Sequence, residues 1–127
     1  MQTEFQFLDR KIRSTKTSLN KLLIRDSSLL VIGILLLIIQ PENLFAQYLL
    51  GTILGVIFYL CHEWAHLGGA LLSKSIVTYP EKVLSPFIFS FHSQANSVRQ
   101  FLFMTAGGFG ATAVLLSAYL VCLPDNV

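Results

Sequence analysis

One stretch of this chain decides its fold, residues 44–73, which read LFAQYLLGTILGVIFYLCHEWAHLGGALLS. Glu63 is its only Asp, Glu, Lys or Arg residue, so the stretch is apolar enough to lie in a lipid bilayer. As a helix at about 1.5 Å per residue it would be roughly 45 Å long, whereas the hydrocarbon core of a bilayer is about 30 Å thick. We therefore predict a transmembrane helix that is tilted or extends beyond the bilayer.

The composition and two further segments indicate the same fold class. Of the 127 residues 54% are hydrophobic and 13% are charged, and the mean hydropathy of +0.64 is too high for an ordinary soluble domain. Residues 101–123 are uncharged and long enough to span, and residues 27–39 form a shorter hydrophobic segment, which spans fully only if residues 22–26 enter the bilayer. We predict an all-α integral membrane protein with three transmembrane helices, at about residues 27–39, 44–73 and 101–123.

All nine Lys and Arg residues fall on one side of this arrangement. Six precede the first span and three flank or lie in the connection between the second and third spans: Arg10, Lys11, Arg13, Lys16, Lys21, Arg25, Lys74, Lys82 and Arg99. Because basic residues collect on the cytoplasmic side, we predict a cytoplasmic N-terminus and a C-terminus on the opposite side. Residues 1–26 are predicted to form a basic amphipathic cytoplasmic segment on the inner leaflet, or else a disordered basic tail. This topology accounts for the basic residues, so no nucleic-acid partner is expected.

The connection between the second and third spans differs in character from the helices. Pro80, Pro86 and several serines interrupt helical periodicity, and residues 86–91, PFIFSF, are aromatic and strand-like. Lipid does not tolerate an exposed strand edge, so such a segment must pack on the helices or lie in the headgroup layer. We predict a short hairpin or re-entrant loop at the cytoplasmic interface.

Small residues recur on two of the predicted spans. Gly51, Gly55 and Gly69 lie on the second span, and Gly107 and Gly110 lie on the third. Small residues allow transmembrane helices to approach closely. We therefore expect the second and third helices to pack through Gly55 and Gly107, with the glycines of the third helix beside the histidines described next.

The second span contains His62-Glu63-Trp64-Ala65-His66, an H-E-x-x-H pattern. Residues four apart share a helical face, so His62 and His66 can hold one zinc ion while Glu63 acts as the general base on a water molecule. Ionisable residues inside a membrane are costly and are functional by default. The alternative is a pair of buried histidines that are hydrogen-bonded to neighbouring helices, with Glu63 protonated.

Over about residues 49–120 the chain resembles the site-2 protease family of intramembrane zinc metalloproteases. The resemblance lies in the H-E-x-x-H helix followed by Gly68-Gly69-Ala70, in the interfacial hairpin segment, and in the glycine-containing helix that begins with RQFLFMTAGG at residues 99–108. It implies that His62 and His66 are zinc ligands and that Glu63 is the general base. It also implies cleavage of transmembrane segments of membrane proteins near the cytoplasmic face.

A third zinc ligand is the open question of the sequence. The family uses an aspartate in a Leu-Asp-Gly motif on a later helix, and this sequence contains no such motif. Asp26 is our candidate, because the helix length from residue 40 places it near the level of the histidines. A helix cap or a pair with Arg25 is the alternative role for Asp26. His92 lies in the interfacial loop, and Asp125 lies at the far end of the third span.

Two hypotheses about function follow. In the first, the chain is a zinc metallopeptidase that Asp26, a loop residue or another subunit completes. In the second, it is an inactive relative that serves as a small structural or accessory subunit of a membrane protein complex, since fold and function can separate. The expected partners are the lipid bilayer and either a transmembrane substrate or a larger membrane complex.

Overall fold

The computed structural model describes residues 2–39 and 42–122, with side chains described within residues 18–39 and 42–121. Its helices are α1 (Gln2–Ile39), α2 (Leu44–Leu72) and α3 (Val98–Cys122). Each helix contains a stretch that is long and apolar enough to cross a membrane, namely Ser18–Ile39, Leu44–Leu72 and Val98–Val121. The chain is therefore a multi-pass membrane protein, and the predicted all-α class with three spanning helices is confirmed.

Helix α1 is longer than the predicted first span. It runs unbroken for 38 residues through position 26, where we placed a boundary, and its spanning stretch begins at Ser18 instead of residue 27. No glycine or proline occurs in α1 before Gly33, so nothing in the sequence ends the helix earlier. Leu22 is only 1% exposed, and its burial draws residues before 27 into the packed part of the protein. The cytoplasmic position of the N-terminus stays a prediction from the basic residues.

The connection between α2 and α3 contains a two-stranded antiparallel sheet. Strand β1 (Val77–Thr78) pairs with β2 (Ser90–Phe91), with Val77 opposite Phe91 and Thr78 opposite Ser90. Asn96 continues this pairing, because its side-chain amide accepts from the Ile76 N–H at 2.6 Å and donates to the Ile76 carbonyl at 2.8 Å. The predicted hairpin is present, but most of the aromatic stretch lies before β2 and outside the sheet.

The C-terminus of α2 is closed by a Schellman turn. Lys74 has a φ of 56°, the N–H of Ser75 donates to the Ala70 carbonyl at 2.8 Å, and the N–H of Lys74 donates to the Leu71 carbonyl at 2.9 Å. This left-handed position usually holds glycine, because a Cβ there is close to the backbone. Lys74 therefore adopts a conformation that its side chain disfavours.

The start of α3 is capped by a reciprocal pair and joined to the end of α2. Gln100 accepts from the Ser97 N–H at 2.8 Å, and the Ser97 hydroxyl accepts from the Gln100 N–H at 3.3 Å, which is the capping-box arrangement. The Gln100 side-chain amide also donates to the carbonyls of Ser73 and Lys74, at 3.2 and 3.0 Å. One side chain thus fixes the longitudinal register between α2 and α3.

Helices α2 and α3 approach each other at glycines. A Cβ at Gly69 would overlap the Phe103 carbonyl, and a Cβ at Gly107 would overlap the Ala65 carbonyl, so both contacts require glycine. The expectation for Gly107 agrees with this packing, but the expectation for Gly55 was wrong, because no atom lies within 4 Å of a Cβ built there. The close contact lies in the half of α2 that carries the histidines.

A small apolar core joins α1, α2 and the connection. It consists of Leu22, Leu67 and Ile88, which are at most 2% exposed, with partly buried side chains packed around them: Leu19, Trp64, Val77, Tyr79 and Phe89. Since Ile88 belongs to the connection, this segment folds back against the two helices. The predicted loop therefore packs on the helices and does not project away from them.

Candidate metal centre

His62 and His66 face α3 from adjacent turns of α2, and their rings converge. Their Nε2 atoms are 2.9 Å apart, and the ring centroids are 4.4 Å apart with the ring planes nearly perpendicular, at 86°. Both residues are half-buried. The structure therefore brings the two predicted metal ligands together, with one nitrogen of each ring directed at the other.

The opposite nitrogens of both rings contact α3. His66 Nδ1 lies 2.8 Å from the Met104 carbonyl oxygen, and His62 Nδ1 lies 3.0 Å from the Gly108 carbonyl oxygen and 2.7 Å from the Thr112 hydroxyl. The Thr112 hydroxyl is 3.2 Å from the Gly108 carbonyl and donates to it, so its lone pair remains for His62. Carbonyl oxygens only accept, so both carbonyl contacts are hydrogen bonds when the two Nδ1 atoms carry the ring protons.

These tautomers determine the character of the space between the rings. A neutral imidazole that donates from Nδ1 has only a lone pair at Nε2, so the two Nε2 atoms are both acceptors. Two acceptors 2.9 Å apart repel each other unless they share a proton or bind the same metal ion. Imidazole Nε2 is a common zinc ligand at about 2.0–2.1 Å, and a backbone carbonyl on the other nitrogen is the usual support of such a ligand. The pair therefore has the donor atoms and the supporting contacts of two zinc ligands, and a tetrahedral zinc ion would require the two Nε2 atoms to move apart to about 3.3 Å.

Gly108 allows the His66 ring to lie against α3. A Cβ built at this position would overlap three atoms of the ring, so the site requires glycine here as well as at Gly107. The sequence predicted Gly107 and Gly110 beside the histidines, whereas in the structure Gly108 contacts His66, Gly107 contacts Ala65, and nothing lies within 4 Å of a Cβ built at Gly110. It did not indicate Thr112 or the carbonyls of Met104 and Gly108. For Thr112, the sequence offered one signal of a place in the site, its position one helical turn after Gly108.

Glu63 occupies the neighbouring side of α2. At 3.6 residues per turn it is rotated about 100° from His62, on a stripe with Tyr59 one turn before it and Leu67 one turn after it. Glu63 is half-buried. The carboxylate thus lies between the face of α2 that contacts α3 and the face that contacts α1.

Asp26, the candidate third ligand, lies elsewhere. Its Oδ2 accepts from the indole N–H of Trp64 at 2.8 Å, and its Oδ1 accepts from Arg25 Nε at 2.6 Å. Trp64 points away from α3, about 200° around the helix from His62. The structure therefore does not bring Asp26 to the histidines, and the alternative pair with Arg25 is present.

The other two candidates are not brought to the histidines either. His92 lies in the hairpin, where its Nε2 is 3.0 Å from the Thr78 hydroxyl. Asp125 lies outside the described residues. Within residues 2–39 and 42–122, no group of three His, Cys, Asp or Glu side chains is placed to hold a metal ion.

Known proteins offer no relative from which a role could be transferred. No family model, no curated protein and no solved structure matches this chain. A functional assignment therefore depends on the geometry around His62, Glu63 and His66.

Proposed function

We propose that the chain is an intramembrane zinc metallopeptidase of the site-2 protease type, which hydrolyses transmembrane substrates near the cytoplasmic face. The observation that carries the proposal is the contact of 2.9 Å between two Nε2 atoms whose rings place their Nδ1 atoms against carbonyl oxygens of α3. With both Nδ1 atoms protonated, this arrangement is favourable when the two Nε2 atoms bind a cation. In the proposed reaction His62 and His66 hold the zinc ion, and α3 keeps their rings oriented.

Zinc, when bound, would lower the pKa of a water molecule to about 7 and polarise the scissile carbonyl. Glu63 is adjacent to His62 in sequence and on the next face of the helix, so its carboxylate is the group that takes a proton from the attacking water. The same carboxyl then delivers the proton to the departing amine. The half-buried position of Glu63 limits bulk water around it, which suits a group that must exchange a proton.

A second candidate function is favoured by a specific observation. Catalytic zinc sites usually have three protein ligands, whereas the described residues place only two beside each other. A chain with an incomplete site fits an inactive relative that acts as an accessory subunit of a membrane complex. In that case the histidine pair would bind a cation or share a proton. Its role would be to stabilise the packing of α2 against α3.

The deciding experiment has two stages. The first measures zinc per chain in purified wild-type protein and in His62→Ala and His66→Ala. We expect bound zinc in the wild type and its loss in both variants, and a wild type without zinc would refute the zinc assignment. The second measures cleavage of a co-expressed transmembrane substrate by wild type and Glu63→Gln. Zinc retained with cleavage abolished supports the peptidase, whereas zinc binding without Glu63-dependent cleavage supports the accessory role.

A further inference from the structure

A six-residue part of the connection returns along α2 as far as the side chain of Tyr59. This cover segment, residues 83–88 (VLSPFI), places the Pro86 carbonyl 3.0 Å from the Tyr59 hydroxyl, which donates to it. Tyr59 lies thirteen residues before the C-terminus of α2 at Leu72, which is about 20 Å of helix. The cover segment therefore reaches far from the end of the helix at which the connection begins.

The cover segment contacts α2 on both sides of Glu63 along the helix. Tyr59, Glu63 and Leu67 follow one another at intervals of four residues, so they form a single stripe on the helix. Pro86 contacts Tyr59 at one end of this stripe, and Ile88 packs in the same core cluster as Leu67 at the other. The turn that carries Glu63 thus lies between the two contacts of the segment with α2.

Arg25 of α1 holds the cover segment from the other side. Its Nη1 donates to the Ser85 carbonyl at 3.0 Å and also to the Val83 carbonyl, while its Nε donates to Asp26. Asp26 in turn accepts from Trp64, so the guanidinium is fixed to α2 as well as α1. Two carbonyls of the segment are thereby held by one guanidinium and a third by one hydroxyl.

The closed arrangement leaves one polar atom unsatisfied. Arg25 Nη2 is buried without a hydrogen-bond partner in the part of the chain that the structure describes. A buried donor without a partner disfavours the state that buries it, because water would satisfy the same donor. Opening of the cover segment would expose this nitrogen to hydration, which offsets part of the loss of the carbonyl contacts.

We propose that residues 83–88 form an autoinhibitory cover over Glu63, latched by Arg25 and Tyr59, and that substrate reaches Glu63 after the latch opens. The inference rests on the proposed role of Glu63 in proton transfer. The latch consists of hydrogen bonds from side chains to main-chain carbonyls, so an extended substrate segment offers the same acceptors. Such a segment can replace the cover at Arg25 and Tyr59 as it enters.

The test measures access to position 63 without relying on catalysis. A thiol is introduced by Glu63→Cys in a chain carrying Cys61→Ala and Cys122→Ala, and its rate of reaction with N-ethylmaleimide is followed in membranes. Adding Tyr59→Phe removes one hydrogen bond and should raise this rate about 2- to 10-fold. Adding Arg25→Met removes two charge-assisted bonds and should raise it by about tenfold or more.

Two controls separate opening of the cover from general loosening. Arg99→Met removes an exposed arginine near the start of α3, which lies over the Phe103 ring 5.8 Å from its centroid, and it should leave the rate unchanged. A thiol from Glu42→Cys, at an exposed position before α2, should react equally in all variants.

Unchanged labelling at position 63 in the Tyr59→Phe background, or an equal increase with Arg99→Met, overturns the proposal. The labelling rate at position 63 in the Tyr59→Phe background tests the proposed cover even if the Arg25→Met variant does not fold. The labelling requires neither zinc nor hydrolysis, so failure of the peptidase assignment and failure of the cover give different results.

Discussion

Replacing Gly107 by alanine probes the contact on which the histidine geometry depends. The new Cβ would overlap the carbonyl of Ala65, and carbon atoms pack at about 3.5–4.0 Å, so α2 and α3 must separate locally by roughly 1 Å. The Nδ1 contacts from the histidines to α3, now 2.7–3.0 Å, would then exceed the range of a hydrogen bond. Both rings would lose the groups that orient them.

The expected magnitude follows from these two effects. Loss of the groups that orient metal ligands typically costs about 10- to 100-fold in metal affinity. Overpacking costs about 1–3 kcal/mol in stability, and the better helix propensity of alanine returns up to about 1 kcal/mol. We therefore expect Gly107→Ala to weaken zinc binding by at least tenfold and to lower the free energy of unfolding by about 1–2 kcal/mol.

Gly110→Ala is the matched control, because nothing lies within 4 Å of a Cβ built at Gly110. It should leave zinc affinity unchanged and should not destabilise the protein. Zinc affinity is measured by competition with a chelator of known affinity, and stability by unfolding in mixed micelles. Equal zinc affinity and equal stability in the two variants would refute the argument that close approach at Gly107 orients the histidines.

Three further predictions concern other parts of the molecule. Lys74→Gly should raise the free energy of unfolding by about 1 kcal/mol, because it relieves the left-handed backbone at the end of α2; a lower midpoint in mixed micelles would contradict this. Thr112→Val should reduce zinc affinity about tenfold while Thr112→Ser retains it, since the hydroxyl contacts His62; chelator competition checks both, and equal affinities would remove Thr112 from the site. A cysteine replacing Glu42 should react with an impermeant reagent added outside, and one replacing Lys82 should not; the reverse pattern would invert the topology inferred from the basic residues.

Hydropathy and motif spacing predicted the large features of this fold. The second and third spans and the convergence of His62 with His66 follow from local rules of length and of helical period. The first span was predicted to begin too late, because the hydrophobic window begins after Asp26 whereas the spanning stretch begins at Ser18. What draws the earlier turn inward is a tertiary contact, the burial of Leu22 against Leu67 and Ile88, which no local pattern reveals.

Contacts across the helices were harder to predict than the helices themselves. Gly55 and Gly107 looked equivalent as small residues, but only Gly107 lies where α2 and α3 touch. Asp26 was predicted to lie at about the level of the histidines along α2, and its contact with Trp64 agrees with this level. The level along a helix does not specify the direction around it. Its side chain turns to Trp64 and Arg25, because two donors there satisfy its carboxylate.

The histidines are oriented mainly by main-chain atoms, and this affects how such a site can evolve. Exchange of the Met104 side chain leaves its carbonyl in place, so the residues of α3 that support the pair are free to drift in identity. Gly107 and Gly108 are exceptions, because any side chain there meets α2. Such a site fixes the identity of few residues, so its sequence signature is short. Distant relatives of this protein are therefore better sought by structural comparison. The feature to search for is two imidazole rings one helical turn apart, with their Nε2 atoms in contact, packed against two adjacent glycines on the next helix.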